Sequence, residues 1–329
     1  MRVLTLRELN RATLARQLLL ERKRLSLVAA VERIAGLQAQ WAPAPYVGLW
    51  TRMDGFRRDA LERALRSNAV VRAVLMRGTI HTVSLRDYAV FRAAVGEPPW
   101  AKGVETANGM HEAARAFCSI PRTRSEIAVA VGHPLEDRTW YALRSRAGLA
   151  HAPESGLWKQ RGKTHYVAIP VSQPEQAAAR AELVRRYLAA FGPATRADIA
   201  EWSGLRIGDL EPVLESFRPR ARDEQGRALY DVPRAPLPAG DAPAPVRFMP
   251  RFDNLVLAHK DRTRVIANED RGQVIDGGWV KSTFLVDGFV AGTWELENDR
   301  VRIEPFAPLR RTVRREVEGE AKRLEQWLR

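Results

Sequence analysis

The feature that most limits how this chain folds is a threefold recurrence of one order of elements, three helices and then two strands, with no matching repeat of residues. In the first round Thr5-Leu6-Arg7-Glu8 is a capping box that opens a helix running to about residue 21. Ser26 is placed to cap a second helix to about residue 38, and 59–67 read as a third. The β-branched runs 70–76 and 79–83, separated by Arg77-Gly78, read as a hairpin. In the second round a helix over 110–118, the capping box Thr123-Arg124-Ser125-Glu126 and a helix over 137–147 precede strands 149–152 and 164–169, joined by a long basic loop over 153–163. The third has helices over 175–191, 195–202 and 207–217 and a hairpin around Asp223-Glu224-Gln225-Gly226. A Pro- and Ala-rich linker, 233–245, then leads to strands over 247–259, 264–266, 284–286, 289–295 and 301–305, with a strong turn at Asp287-Gly288, and a closing helix over 312–328.

Three helices and a hairpin is the winged-helix order. The expectation is an α+β chain with three tandem winged-helix motifs, over 1–100, 101–171 and 172–235, followed by a β-rich subdomain and terminal helix over 246–329. The 329 residues suffice for cores of this number. With one cysteine, Cys118, no internal disulfide forms, and the longest apolar runs, such as 167–171, fall far short of a bilayer span. A cytoplasmic location follows from the reduced cysteine and the lack of an apolar leader.

The charge narrows the partner. Against 39 Asp and Glu stand 53 Lys and Arg, a net +14, nearly all of it before residue 171. Arginine preference alone explains Arg over Lys but not this placement, so a polyanion, DNA or RNA, is the expected partner. The six histidines show no His-x-x-x-His spacing and there is no Cys-x-x-Cys, so neither metal nor cofactor is expected. Phosphate-binding loops, dinucleotide fingerprints and serine-hydrolase elbows are missing as well.

What remains is a pair of amides. The expected second helix has an apolar stripe through Leu27, Val31, Ile34 and Ala35, and Gln38 takes its next position. Gln40 follows two residues on, where Trp41, Pro43 and Pro45 are read as ending the helix; in extended chain both amides point to one side. From spacing alone the pair reads first as an ordinary capped or solvated helix end.

Gly36-Leu37-Gln38-Ala39-Gln40 with Trp41-Ala42-Pro43-Ala44-Pro45-Tyr46, Arg77-Gly78-Thr79-Ile80-His81, Asp198-Ile199-Ala200-Glu201-Trp202-Ser203-Gly204, Pro250-Arg251-Phe252-Asp253-Asn254-Leu255, His259-Lys260-Asp261-Arg262, Val286-Asp287-Gly288 and Gly292-Thr293-Trp294 run in order over nearly the whole chain. Together they resemble the AlkZ-like winged-helix DNA glycosylases, in the Gln-x-Gln branch. The resemblance implies a monomeric base-excision enzyme acting on double-stranded DNA that carries alkylated guanine, with bulky N7 adducts and crosslinks as substrates and a link to self-resistance in producers of DNA-alkylating antibiotics. It implies that Gln38 and Gln40 are catalytic, placing the attacking water and stabilising the oxocarbenium-like sugar. It makes the segment around His259, Lys260 and Arg262 a DNA-probing hairpin in the C-terminal subdomain. Arg77, Thr79 and His81 are further candidates for DNA contact, equally suited to structural roles in a wing, and Trp41 and Tyr46 are candidates for a lesion pocket or for core. The rival class is a non-catalytic winged-helix DNA binder or transcription regulator.

Overall fold

The computed structural model of the chain describes residues 1–159, 162–298 and 300–329. Gln160 and Arg161 of the expected basic loop lie outside the described residues, as does Asp299.

The fold is α+β, and groups of helices followed by a hairpin recur along it, with one helix more than expected before the first hairpin. Helices Leu6–Arg16, Leu27–Arg33 and Arg58–Arg66 precede strands Val70–Val74 and Ile80–Ser84. Helices Met110–Phe117, Arg124–Ala130 and Asp137–Ala147 precede Leu149–His151 and His165–Ala168, and helices Gln176–Phe191, Arg196–Ser203 and Ile207–Leu214 precede Pro219–Asp223 and Ala228–Tyr230. The capping boxes at Thr5 and Thr123 form with both reciprocal bonds. Helix ends are where expectation and structure part. The first helix stops at Arg16, and Leu18 turns left-handed at φ 59°. The second stops at Arg33, because Ala35 and Gly36 both take positive φ, 56° and 83°. Pro43 and Pro45 do not end a helix but open one, Ala44–Arg52, where the N–H groups they lack would have been unpaired anyway. A further helix, Leu85–Val95, starts at Ser84, whose hydroxyl accepts from the Asp87 N–H at 3.1 Å.

The first two hairpins do not stand apart as separate wings. They merge into one six-stranded antiparallel sheet in the order Leu37–Gln38, Ile80–Ser84, Val70–Val74, Leu149–His151, His165–Ala168, Arg122–Thr123, and Arg72 opposite His151 is the junction. The third hairpin takes the N-terminal strand Arg2–Leu4 parallel to Pro219–Asp223. Beyond the linker, Arg247–Met249, Thr283–Val286, Phe289–Glu297 and Arg300–Pro305 form an antiparallel sheet covered by the helix Arg311–Leu328.

The expected strands over 247–259 and 264–266 are a correction. Only Arg247–Met249 is strand; Asn254–Leu257 is a short helix capped by Asp253, and Arg262–Arg264 a 3-10 turn. No hairpin therefore spans 252–266. The small hairpin of this region is Ile275–Asp276 with Trp279–Val280, and its Trp279 is exposed.

Apolar cores cross the boundaries drawn from the sequence. One gathers Val71, Val83 and Phe91 with Leu183, Tyr187, Phe191 and Trp202. Another joins Val31, Trp50 and Leu61 to Phe248, Phe284, Trp294 and Leu324. Inside this frame Arg52 and Asp253, both buried, form a bidentate pair at 2.9 and 2.8 Å. Removing one partner strands the other charge, so Asp253→Ala is expected to cost about 3–5 kcal/mol in denaturant unfolding, and Arg52→Met with Asp253→Leu to recover most of it. A loss below about 1 kcal/mol for Asp253→Ala contradicts a structural role for the pair.

Candidate active site

The left-handed turn at Ala35 and Gly36 redirects the chain from helix into the sheet edge, where Leu37 pairs with Thr82 and Gln38 with His81. Gln38 is thus on a strand and not on the second helix's apolar stripe. The Ala39 N–H donates to the Ile80 carbonyl at 2.7 Å, and the Gln40 Oε1 accepts from the Ile80 N–H at 3.0 Å. The two amides, two residues apart, meet different surroundings. Gln38 is buried beside a small cavity shared with Arg52, Asp253 and Asn254. Gln40 is exposed at the rim of a cleft of about 670 Å³.

Gln38 is held by Arg77. The Arg77 Nη2 donates to Gln38 Oε1 at 2.7 Å and to Asn254 Oδ1 at 3.2 Å, while Nη1 donates to the Trp202 carbonyl at 2.7 Å. Burial pulls the guanidinium down to about 10, so it stays charged at neutral pH. Its backbone is left-handed at φ 55°, and Gly204 packs on it so closely that a Cβ there would lie 2.8 Å from the Arg77 nitrogen. Segments separated by up to 177 residues meet at this one side chain. The Arg77 guanidinium braces Gln38, the structural role that the sequence equally allowed.

The other candidates divide. His81 is fully buried, its Nδ1 3.0 Å from the Thr79 carbonyl, and burial with Arg77 nearby lowers it to about 3. Thr79 is half-buried and donates to the Met76 carbonyl at 3.1 Å. His259 is fully buried too, its Nε2 3.0 Å from the Phe191 carbonyl, and burial lowers it to about 3 as well, with Arg264 acting in the same direction. Neither histidine reaches the surface; for His259 this corrects the groove contact that the resemblance implies, and for His81 it leaves the structural role that the sequence equally allowed. Lys260 and Arg262 both reach Glu201, at 3.5 and 3.1 Å, and the Lys260 N–H donates to Asp198 Oδ1 at 2.8 Å. The segment is a brace against the helix Arg196–Ser203, with the Lys260 ammonium still largely exposed. Trp41 lines the cleft and is 38% exposed. Tyr46 is fully buried and edge-on to Trp158 of the cleft lining, its hydroxyl donating to the Gly156 carbonyl at 3.0 Å, and burial pushes the phenol well up.

The cleft floor holds residues that the sequence reading passed over: Arg72, Arg144 and His151, with Trp140, Tyr141 and Tyr166 around them. An arginine in the middle of the β-branched run 70–76 was the available sign. Arg72 donates to the Ala39 carbonyl at 2.8 Å, so it also supports the residue between the two glutamines. Among the described residues no group of three or more His, Cys, Asp or Glu stands where it would hold a metal, and no helix is long and apolar enough to cross a membrane.

This fold is that of a known class. The chain belongs to the AlkZ-like DNA glycosylase family, whose model matches residues 31–327. It is 26% identical over 344 aligned positions to an interstrand DNA cross-link repair glycosylase of Streptomyces sahachiroi, covering 93% of this chain and 92% of that protein. The solved structure of the Streptomyces sahachiroi DNA glycosylase AlkZ has the same fold, with a TM-score of 0.82, 22% identity, and 99% of this chain and 97% of that one covered.

The buried histidines generate a pH test. His81 and His259 stay neutral in the folded chain down to about 3, whereas in the unfolded chain they protonate near 6.5. The unfolded state binds more protons in that window, so their contribution is complete above about 6.5 and is lost as the pH falls toward 3. The denaturant midpoint is expected to drop between pH 7 and 5, and less steeply in His259→Gln. An identical slope in wild type and variant contradicts this assignment.

Proposed function

We propose that the protein is a monofunctional DNA glycosylase that hydrolyses the N-glycosidic bond of N7-alkylated guanine in double-stranded DNA, bulky antibiotic-derived adducts and interstrand crosslinks above all. It serves base-excision repair and self-resistance, acting as a cytoplasmic monomer whose tandem helix–hairpin units, read as winged helices over 1–100, 101–171 and 172–235, hold one lesion. Family membership supports the bond class, and the cross-link repair relative supports crosslinks as substrates.

The observation that carries the mechanism is the anchoring of both amide oxygens, Gln38 Oε1 by Arg77 and Gln40 Oε1 by the Ile80 N–H. Alkylation at N7 already makes the base a cationic leaving group, so the enzyme does not have to supply a strong acid. It has to place water and tolerate a developing sugar cation. Each anchored oxygen keeps a second lone pair for that purpose, and its orientation is set before substrate arrives. No lysine lines the cleft among the described residues, which supports simple hydrolysis over a Schiff-base route. Asp253, the nearest carboxylate to Gln38 in the small cavity, is tied to Arg52. The exposed Trp279 on its short hairpin takes over the probing role expected of the 252–266 segment.

The test is release of free modified base from alkylated duplex under single-turnover conditions. Gln38→Ala and Gln40→Ala are each expected to lower excision roughly 10- to 1,000-fold with damaged-DNA affinity retained, and the double variant to fall by less than the product of the two. Wild-type rates in both single variants remove the catalytic assignment, and absence of base release by the wild type leaves a non-catalytic DNA binder.

The surplus of positive charge before residue 171 predicts electrostatic binding. For about 6–10 phosphate contacts, duplex affinity is expected to fall roughly 10³- to 10⁵-fold between 50 and 200 mM salt. A nearly flat salt response means that the arginine surplus is compositional.

A further inference from the structure

The floor of the cleft contains cations without an anion. Arg72 and Arg144 both line it and are buried, and neither pairs with a carboxylate among the described residues. Asp137, on the cleft wall, is largely exposed and is taken by Arg124 at 2.9 Å. The Arg144 side chain makes no hydrogen bond among the described residues: its guanidinium lies against the rings of Tyr141 at 4.9 Å and of Trp140 and Tyr166 at 5.8 Å, and its Nη2 has no partner. Arg72 donates to the Ser155 carbonyl at 2.7 Å, and its Nη1 stands 3.2 Å from Nδ1 of His151. Because arginine only donates, that Nδ1 accepts, which puts the imidazole proton on Nε2. The His151 Nε2–H is buried and has no partner either.

Buried donors are almost always satisfied, and buried charges are almost always paired. Here two guanidiniums and a neutral imidazole line one cleft with donor capacity left over. A tetrahedral oxyanion meets that demand, since several oxygens carry its charge and accept from separate directions at once, and arginine is the residue suited to it. The cleft is large enough for a nucleotide-sized group, and it lies in the part of the chain that carries the positive surplus.

We propose that Arg72, Arg144 and His151 form a phosphodiester-binding site that grips one particular backbone phosphate of the DNA strand entering the cleft beside Gln40. The source of the phosphate rests on the DNA-glycosylase reading; the site itself rests on the geometry of the floor. Gripping a single phosphate there sets the register of the strand against the Gln40 rim, whereas the exposed arginines elsewhere attract DNA without register.

The test is a binding experiment on the full chain that needs no excision, so its failure and the failure of the catalytic reading are seen separately. Duplexes with a central abasic-site analogue are made with one phosphate at a time replaced by a neutral methylphosphonate, and affinities are measured for wild type, Arg144→Met and Arg144→Lys. The wild type is expected to lose affinity roughly tenfold at one position in the cleft-bound strand, and Arg144→Met to bind the unmodified duplex about as weakly with no further loss at that position. Arg144→Lys, which keeps the charge without the fork, is expected to fall between them, and it carries the comparison if the Met variant does not melt cooperatively. Losses that simply add at every position, or wild-type affinity in both variants, overturn the proposal. Inorganic phosphate is the second probe. If it raises the melting temperature of the wild type and not of the variants while the scan stays additive, the site takes a free anion and the DNA assignment is overturned.

Discussion

A guanidinium placed inside a protein has to be surrounded by oxygen, and at Arg77 the oxygens come from three segments far apart in the chain. Gln38, the Trp202 carbonyl and Asn254 each accept from it, and none of these bonds survives independent movement of the others. A buried donor left unsatisfied costs more than one bond contributes, so the edge strand, the last turn of the helix Arg196–Ser203 and the start of the helix Asn254–Leu257 are positioned together. The close approach of Gly204 to the Arg77 backbone fixes the same junction from behind. The orientation of Gln38 is thus a consequence of tertiary structure and not of its own strand.

The same logic explains why the first two hairpins are joined. Each alone leaves an edge of unpaired N–H and C=O groups, and a two-stranded hairpin is marginal by itself. Joining them at Arg72 and His151 removes two of those edges and sets the second unit against the first at a defined place. The cleft is the space left above that junction, between the Gln40–Trp41 segment and the helix Asp137–Ala147, which supplies Trp140, Tyr141 and Arg144. Its shape therefore depends on a sheet that neither unit forms alone.

Local signals in the sequence translated well into elements, and contacts over long distance did not. The capping boxes at Thr5 and Thr123, the turn at Asp287-Gly288 and the hairpins of all three rounds are written in neighbouring residues and are found where those residues stand. The stripe Leu27, Val31, Ile34 continues in number to Gln38 and predicts a helix there. Periodicity cannot register that Ala35 turns left-handed, since this depends on where the sheet edge lies. Pro43 and Pro45 carry the same ambiguity, as proline both follows and opens helices. The resemblance puts His259 in a DNA-probing hairpin. Its burial depends on Phe191 and Tyr187, which the sequence places about 70 residues away and the fold places beside it. Arg72, Arg144 and His151 come from two rounds of the repeat and converge only through the shared sheet.

The two proposals constrain each other electrostatically. A sugar cation developing near Gln40 is repelled by any uncompensated positive charge in the same cleft, and low-dielectric walls strengthen that repulsion. With the floor unneutralised, Arg72 and Arg144 would oppose the reaction that the amides are proposed to promote. A phosphate seated on them, one negative charge against two positive ones, offsets part of that repulsion while leaving the amide oxygens free, so that binding of the correct strand makes the electrostatics of the site more favourable. An alkylated base presented without its backbone would leave the arginines unpaired. On this argument the floor makes a flanking phosphodiester part of the catalytic environment, in the sense that interactions formed only with the properly seated substrate lower the barrier to its transition state.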